Sequence, residues 1–417
     1  MIALDLSRLL SRAGRGTPTG IDRVELAYAE HLIRGGKPYC FTALTASGRL
    51  GLLQGRAGVK FVATIGAAWR GTGDAKAYDA RARQIARQAR LTLLAGGERP
   101  LVNQLRDATG DATYLLVSHH HLERRGVIAR LKERTAARFV CLVHDLIPME
   151  FPEYAKPGQA EHHRKRIETA AELADAFIVN SSLTRDQLQP HLDQIASAAP
   201  VLVAPFGADL PRPYPDEPAA LTRPYFVYVS TIEARKNHLL LLNIWRQMSA
   251  ELGPSAPLLV LIGQRGWETE NVIDMLERCP GLRETVIEYN QLPDREMVRL
   301  LRGAQAMLLP SFAEGFGFPL IEALQFGVPA LCSDIPALRE TGMGVPEFFD
   351  PIDGIGWRSA ILDYTAPQSP RRAAQLERLS RWHPPRWEQH FTMVDRLLAE
   401  IAETGLVQDA PGSRALM

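Results

Sequence analysis

The 417 residues are 46% hydrophobic and 23% charged, with a formal net charge of +1, an ordinary globular composition whose length implies two or three domains at roughly 100–200 residues each. Cys40, Cys141, Cys279 and Cys332 lie far apart with no CxxC pair, which excludes a disulfide framework or zinc ribbon and fits reduced thiols. No run nears the ~20 apolar residues of a membrane-spanning helix, and MIALDLSRLL lacks a signal peptide's apolar stretch, so the expected location is cytoplasmic and any membrane contact peripheral.

In the N-terminal half, IALDL reads as a strand and residues 20–34 as a helix behind the loop TPTG (17–20). Gly20 permits close backbone approach to a ligand; Arg23 could add charge and Asp22 could accept from a hydroxyl. The same residues also read as a helix start with ordinary caps. PYCFTAL (38–44) is a second strand, whereas residues 46–75 are Gly-rich and patternless, a long loop or insertion. AYDARARQIARQARLTLL (77–94) sets Arg81, Arg83, Arg87 and Arg90 on a helix, either a solvated face or one for a membrane surface. TYLLV (113–117), RFVCLVHD (138–145) and AFIVNS (176–181) are further strands. VHDLIPMEFPEY (143–154) places His144 and Asp145 at a strand end, as a structural pair or a ligand contact.

Residues 205–225 hold six prolines and read as a linker. It separates an N-terminal domain (1–210) from a C-terminal domain (222–384). Residues 1–215 carry 29 Lys/Arg against 21 Asp/Glu, the remainder 19 against 26. A basic first half fits an anionic partner, or a chance difference between two solvated surfaces.

Beyond the linker, strands and helices alternate. YFVYVS (225–230) is followed by a helix over 238–252 with Asn237 as its N-cap. The strand PLLVLIG (257–263), a helix near 270–278, a strand near 285–289, a helix at 294–304, the strand AMLLP (306–310), a helix from Pro319 and the strand VPALCS (328–333) come next. This spacing predicts βαβ crossovers and a parallel sheet, and open α/β sheets bind ligands at the carboxyl ends of their strands.

The most informative segment is LLPSFAEGFGFPLIEALQFGVPALCSD (308–334). A strand gives way to a Gly-rich loop carrying Glu314, and Glu322 falls about one turn inside the following helix. Glycines expose backbone N–H groups, and a helix N-terminus adds donors and partial positive charge, a site for phosphate. Earlier, STIEARKNHLLLL (230–242) sets Arg235 and Lys236 before a helix, where two cations suit a diphosphate whose charge grows as it departs.

The spacing Glu314-x7-Glu322 within EGFGFPLIEAL resembles the signature of family 4 retaining GT-B glycosyltransferases. The resemblance implies an α/β fold of two Rossmann-like doubly wound parallel-sheet domains facing a cleft, with a terminal helix (about 385–410) crossing back onto the first. It assigns Glu314 to the transferred sugar, Glu322 to the ribose hydroxyls, and Gly315, Phe316, Gly317 and Phe318 to an amide cradle. Arg235 and Lys236 take the diphosphate, His144 reaches the donor sugar, and the Gly20 loop closes over the diphosphate or meets the acceptor. GQRGWE (263–268) also recurs in the family, with Gly263, Arg265 and Trp267 lining the base pocket or packing a turn. Two departures stand out: Ser230 or Thr231 occupies a place where some members carry an extra Arg, and Gly14, Gly16 and Gly20 are spread out where many relatives have a Gly-Gly pair.

The TGIDRVE and HDLIP segments look most like bacterial mannosyltransferases of surface-polysaccharide assembly. The implied activity is a retaining, metal-independent hexosyl transfer with no cofactor, from a nucleotide-diphosphate sugar to a glycan or lipid-linked glycan acceptor. GDP-mannose is the first expectation and a UDP-hexose the second; no nucleic-acid partner is expected. The alternatives are a nucleotide-sugar epimerase on the same fold or a non-catalytic sugar-binding member.

Overall fold

The computed structural model describes residues 1–70, 74–108, 112–208, 217–219, 221, 223–290 and 292–408. Much of the expected linker (209–216, 220 and 222) and the end of the expected terminal helix (409–410) lie outside the described residues. The chain divides into two compact units. The first comprises Met1–Leu146, Ala160–Gly207 and Arg386–Met417, and the second Ile147–Gln159 and Ala208–Pro385.

The first unit is built on seven strands: β1 (Ile2–Asp5), β2 (Tyr39–Leu44), β3 (Leu50–Leu52), β4 (Thr113–Leu116), β5 (Arg138–Val143), β6 (Ala176–Val179) and β7 (Val201–Val203). Their order is β3-β2-β1-β4-β5-β6-β7. All pairs are parallel except β2 with β3. β1, β4 and β6 are buried at every position, as strands covered on both faces must be. The order reverses between β1 and β4, which places a switch-point crevice at their carboxyl ends.

Residues 46–75 are not the expected loop. They form β3 and the helix Ala57–Arg70, with residues 71–73 outside the described set. The helix buries Phe61, Ile65 and Trp69, spaced four apart; its alanines and glycines hid this stripe. Trp69 Nε1 donates to the Arg15 carbonyl at 2.9 Å, holding the loop before helix Gly20–Gly35. β7 was also unforeseen, being only three residues long.

The terminal helix Trp387–Gln408 belongs to the first unit. Its His390 is fully buried. Nδ1 faces the Ala204 and Pro205 carbonyls at 3.1 and 3.2 Å, which only accept, so Nδ1 carries the proton. Nε2 therefore accepts from the Tyr28 hydroxyl at 2.7 Å.

The second unit holds β8 (Tyr225–Val229), β9 (Leu258–Ile262), β10 (Val286–Tyr289), β11 (Met307–Leu309), β12 (Ala330–Ser333) and β13 (Glu347–Phe349), all parallel, in the order β10-β9-β8-β11-β12-β13. Helices His238–Leu252, Glu270–Arg278, Asp294–Gly303 and Phe318–Gln325 alternate with them as the sequence pattern predicts; β13 and the helices Pro336–Gly342, Gly354–Thr365 and Pro370–Ser380 were not anticipated. Trp245 and Trp357 are fully buried, their indole N–H groups donating to Pro257 O and Asp350 O at 2.9 Å. The switch point lies between β8 and β11. No described helix is long and apolar enough to cross a membrane.

Candidate functional site

The carboxyl ends of β8 and β11 flank the switch point of the second sheet, and both charged motifs emerge there. Arg235 and Lys236 form a short 3-10 turn after β8, and Glu314 lies in the loop after β11. The backbone stitches the two loops together, with Phe312 N donating to Arg235 O at 2.8 Å. The side chains then converge. Lys236 Nζ lies 2.5 Å from Glu314 Oε1 and Arg235 lies 3.2 Å from Oε2. Ser311 Oγ donates to Oε1 at 2.7 Å.

Glu314 and Lys236 are buried. Burial alone pushes the Glu314 carboxyl up, but Lys236, Arg235 and the Ser311 hydroxyl outweigh it and hold it down at about 2. Glu314 is thus a fixed, ionised acceptor, suited to hydroxyl groups. Arg235 is the more accessible cation, at 22% side-chain exposure against 8% for Lys236. It also pairs with the buried Glu233 at 2.7 Å and donates to Ala313 O at 2.9 Å.

Sequence reasoning missed Glu233, Ser311 and the work of Asn237. Asn237 occupies the N-cap position but makes no side-chain cap; its φ is +54°. Its amide instead donates to Pro310 O at 3.1 Å and Pro351 O at 2.8 Å, tying the start of the helix to the loops after β11 and β13. Tyr228 donates from its hydroxyl to Lys236 O at 2.7 Å. The signal for Ser311 was present as Ser-x-x-Glu in PSFAEG.

The loop from Glu314 runs into the eight-residue helix Phe318–Gln325. Gly317 caps it at φ +89°, and a Cβ there would meet Leu338 Cδ2 at 2.7 Å, so only glycine fits. Pro319 follows the first helical residue; a missing N–H costs nothing in a first turn. Phe316 and Phe318 meet edge to face at 5.3 Å, and Phe316 O accepts from Thr341 at 2.5 Å. Glu322 is the fifth residue of the helix and is buried, so Gly315, Phe316, Gly317 and Phe318 lie along the chain between the two glutamates.

The loop after β9 runs beside the one after β8. Ile232 bridges to Arg265, and Gly263 would place a Cβ 1.9 Å from Ser230 O. Arg265 does not present a free edge to a base. Its Nε and Nη2 donate to Glu288 at 2.8 and 2.9 Å, and Nη1 to Glu277 at 2.5 Å. Lys156 Nζ lies 4.9 Å from the Trp267 ring centroid, a cation–π geometry.

His144 and Gly20 belong to the first unit. His144 follows β5 and is buried, its Nε2 2.8 Å from Val117 O. A carbonyl only accepts, so Nε2 carries the proton and Nδ1 a lone pair. Burial holds the imidazole at about 4, hence neutral near pH 7. Gly20 is the first residue of its helix, behind a Thr19–Asp22 capping box. Asp22 is fully buried and pairs with Arg8 at 2.7 Å and Arg12 at 2.9 Å, so it is not available to an acceptor hydroxyl.

Residues 215–342 match the family model for glycosyl transferases group 1, and that span contains both charged motifs. The second unit thus carries a group 1 glycosyltransferase domain. It is 28% identical over 265 residues to the O-antigen chain mannosyltransferase B of Escherichia coli, a match covering 62% of this chain and 69% of that one. It is 29% identical over 224 residues to the serotype-specific mannosyltransferase WbdA of Escherichia coli, covering 50% of this chain and 27% of that protein. The fold is similar to an α,α-trehalose-6-phosphate synthase from Burkholderia multivorans, with a TM-score of 0.61, 12% identity and 99% of each chain covered. The two parallel-sheet, Rossmann-like units share the fold of these GT-B neighbours.

Proposed function

We propose that this glycosyltransferase transfers mannose from GDP-mannose, with retention, to a growing glycan or lipid-linked glycan in bacterial surface-polysaccharide synthesis. The observation that carries the reading is the convergence of Glu314, Arg235 and Lys236 at one switch point. Both Escherichia coli relatives are mannosyltransferases, which favours mannose.

In this reading the diphosphate lies against the exposed side of Arg235 and the amides of Gly315 to Phe318. Preorganised donors there stabilise the charge that grows as the nucleotide departs. Glu314, kept ionised by Lys236, accepts hydrogen bonds from sugar hydroxyls; Glu322 accepts from the ribose. The departing phosphate takes the acceptor proton on the face it leaves. Arg265, with its donors engaged by Glu277 and Glu288, serves a base by stacking its plane.

A panel of GDP-mannose and UDP-hexoses, scored by nucleotide release with and without mannan-type oligosaccharide acceptors, tests the assignment. GDP release that requires acceptor supports it. Turnover of a UDP-hexose alone replaces the donor, and donor conversion that ignores acceptor points to an epimerase.

A further inference from the structure

We propose that the outward face of the helix Ala75–Gly96 docks on an anionic lipid bilayer. This goes beyond the donor site, which lies in the other unit.

The helix has two faces with different chemistry. Ala82, Ile85, Ala86, Ala89 and Leu93 are buried, so its need for a core is met on one side. Gln84, Arg87, Leu91 and Leu94 fall at spacings of three and four on the other side. Leu91 is 67% exposed and Leu94 49%. A helix that already buries Leu93 gains nothing in the fold from two more leucines held in water.

The charge around these leucines has one sign. Arg81, Arg83, Arg87 and Arg90 are all exposed, and no acid occurs between Asp79 and Glu98. Two of the arginines also serve the fold: Arg90 donates to Leu10 O at 2.7 Å, and the Arg83 stem lies over Gly14. Arg81 and Arg87 lie on a stretch of helix that carries no carboxylate of its own after Asp79. Guanidinium groups beside apolar side chains, without carboxylates, match the boundary where lipid phosphates meet acyl chains. Residues 1–215 add to the attraction, with 29 Lys/Arg against 21 Asp/Glu.

The test is co-sedimentation of the full chain with phosphatidylcholine vesicles, with and without phosphatidylglycerol. The expected result is binding to the anionic vesicles only, weakened by salt. The double variants L91S/L94S and R81E/R87E should each lower the bound fraction at least about tenfold, with the unfolding midpoint unchanged because all four side chains are exposed. The single variant Arg87→Glu serves if either double variant fails to fold. Wild-type protein that stays in the supernatant overturns the proposal, as do variants that bind like wild type. A nucleic-acid complex lost with R81E/R87E but kept with L91S/L94S, in protein that ignores vesicles, also overturns it. So does a homodimer, seen by light scattering, that the leucine pair alone controls.

Discussion

Replacing Lys236 with Met removes a buried cation from a buried carboxylate and should destabilise the second unit. Glu314 is held at about 2 against an ordinary 4.5. At about 1.4 kcal/mol per pKa unit, the gap corresponds to roughly 3 kcal/mol in favour of the ionised form. Breaking one side of a buried ion pair costs about 3–5 kcal/mol by an independent route. Arg235, 3.2 Å from the other carboxylate oxygen, remains as a partner, so the lower end is expected. For a unit of this size about 3 kcal/mol lowers the midpoint by roughly 6–12 °C. Denaturant unfolding of K236M, E314Q and the double variant K236M/E314Q completes the cycle. The double variant should regain much of the loss, with a coupling of about 2–3 kcal/mol. Effects that add to within about 0.5 kcal/mol would refute a direct pair.

The same pair sets a pH window. A carboxylate depressed from 4.5 to about 2 contributes stability that is complete above pH 4.5 and lost as pH falls toward 2; the gap between wild type and K236M should narrow over that interval in acid unfolding curves. Ser311→Ala removes a fully buried hydroxyl from Glu314; a bond to a charged group is worth about 1.5–3 kcal/mol, so kcat should fall about tenfold or more, with Ser311→Thr restoring part of it. Asn237→Ala loses two bonds to carbonyls at a left-handed position and should lower the unfolding midpoint, while Asn237→Gly, free of the backbone strain, should lower it less. His390 is held neutral at about 4 by burial. It must charge on unfolding below pH 6.5, so its contribution is complete above 6.5 and lost as pH falls through 4; comparison with His390→Asn from pH 7 to 5 reads this slope.

Much of the second unit was legible because buried parallel strands read as apolar runs and its helices carry ordinary spacing. Glu314, Arg235 and Lys236 stood out as candidates because each follows such a run within a few residues. The first unit was harder. The helix Ala57–Arg70 presents small residues between Phe61, Ile65 and Trp69, so its stripe is diluted by alanine and glycine. β7 and β13 have three residues each, too few for a period to show. What no pattern could supply is partnership. Asn237 reaches Pro310 and Pro351, contacts that exist only after the loops of three strands have been brought together, whereas Glu233–Arg235 and Ser311–Glu314 pair within one loop each. The resemblance that offered Arg265 to a base pocket or a packed turn likewise said nothing of Glu277 and Glu288.

Nucleotide affinity and sugar transfer, measured side by side for wild type and Glu314→Gln with the donor that turns over, bear most directly on the role of the switch-point acid. The uncharged isostere should bind free GDP within about threefold of wild type, because the nucleotide lacks the sugar that Glu314 is proposed to hold, while transfer to acceptor falls about 100-fold or more. Transfer near the wild-type rate would contradict the account.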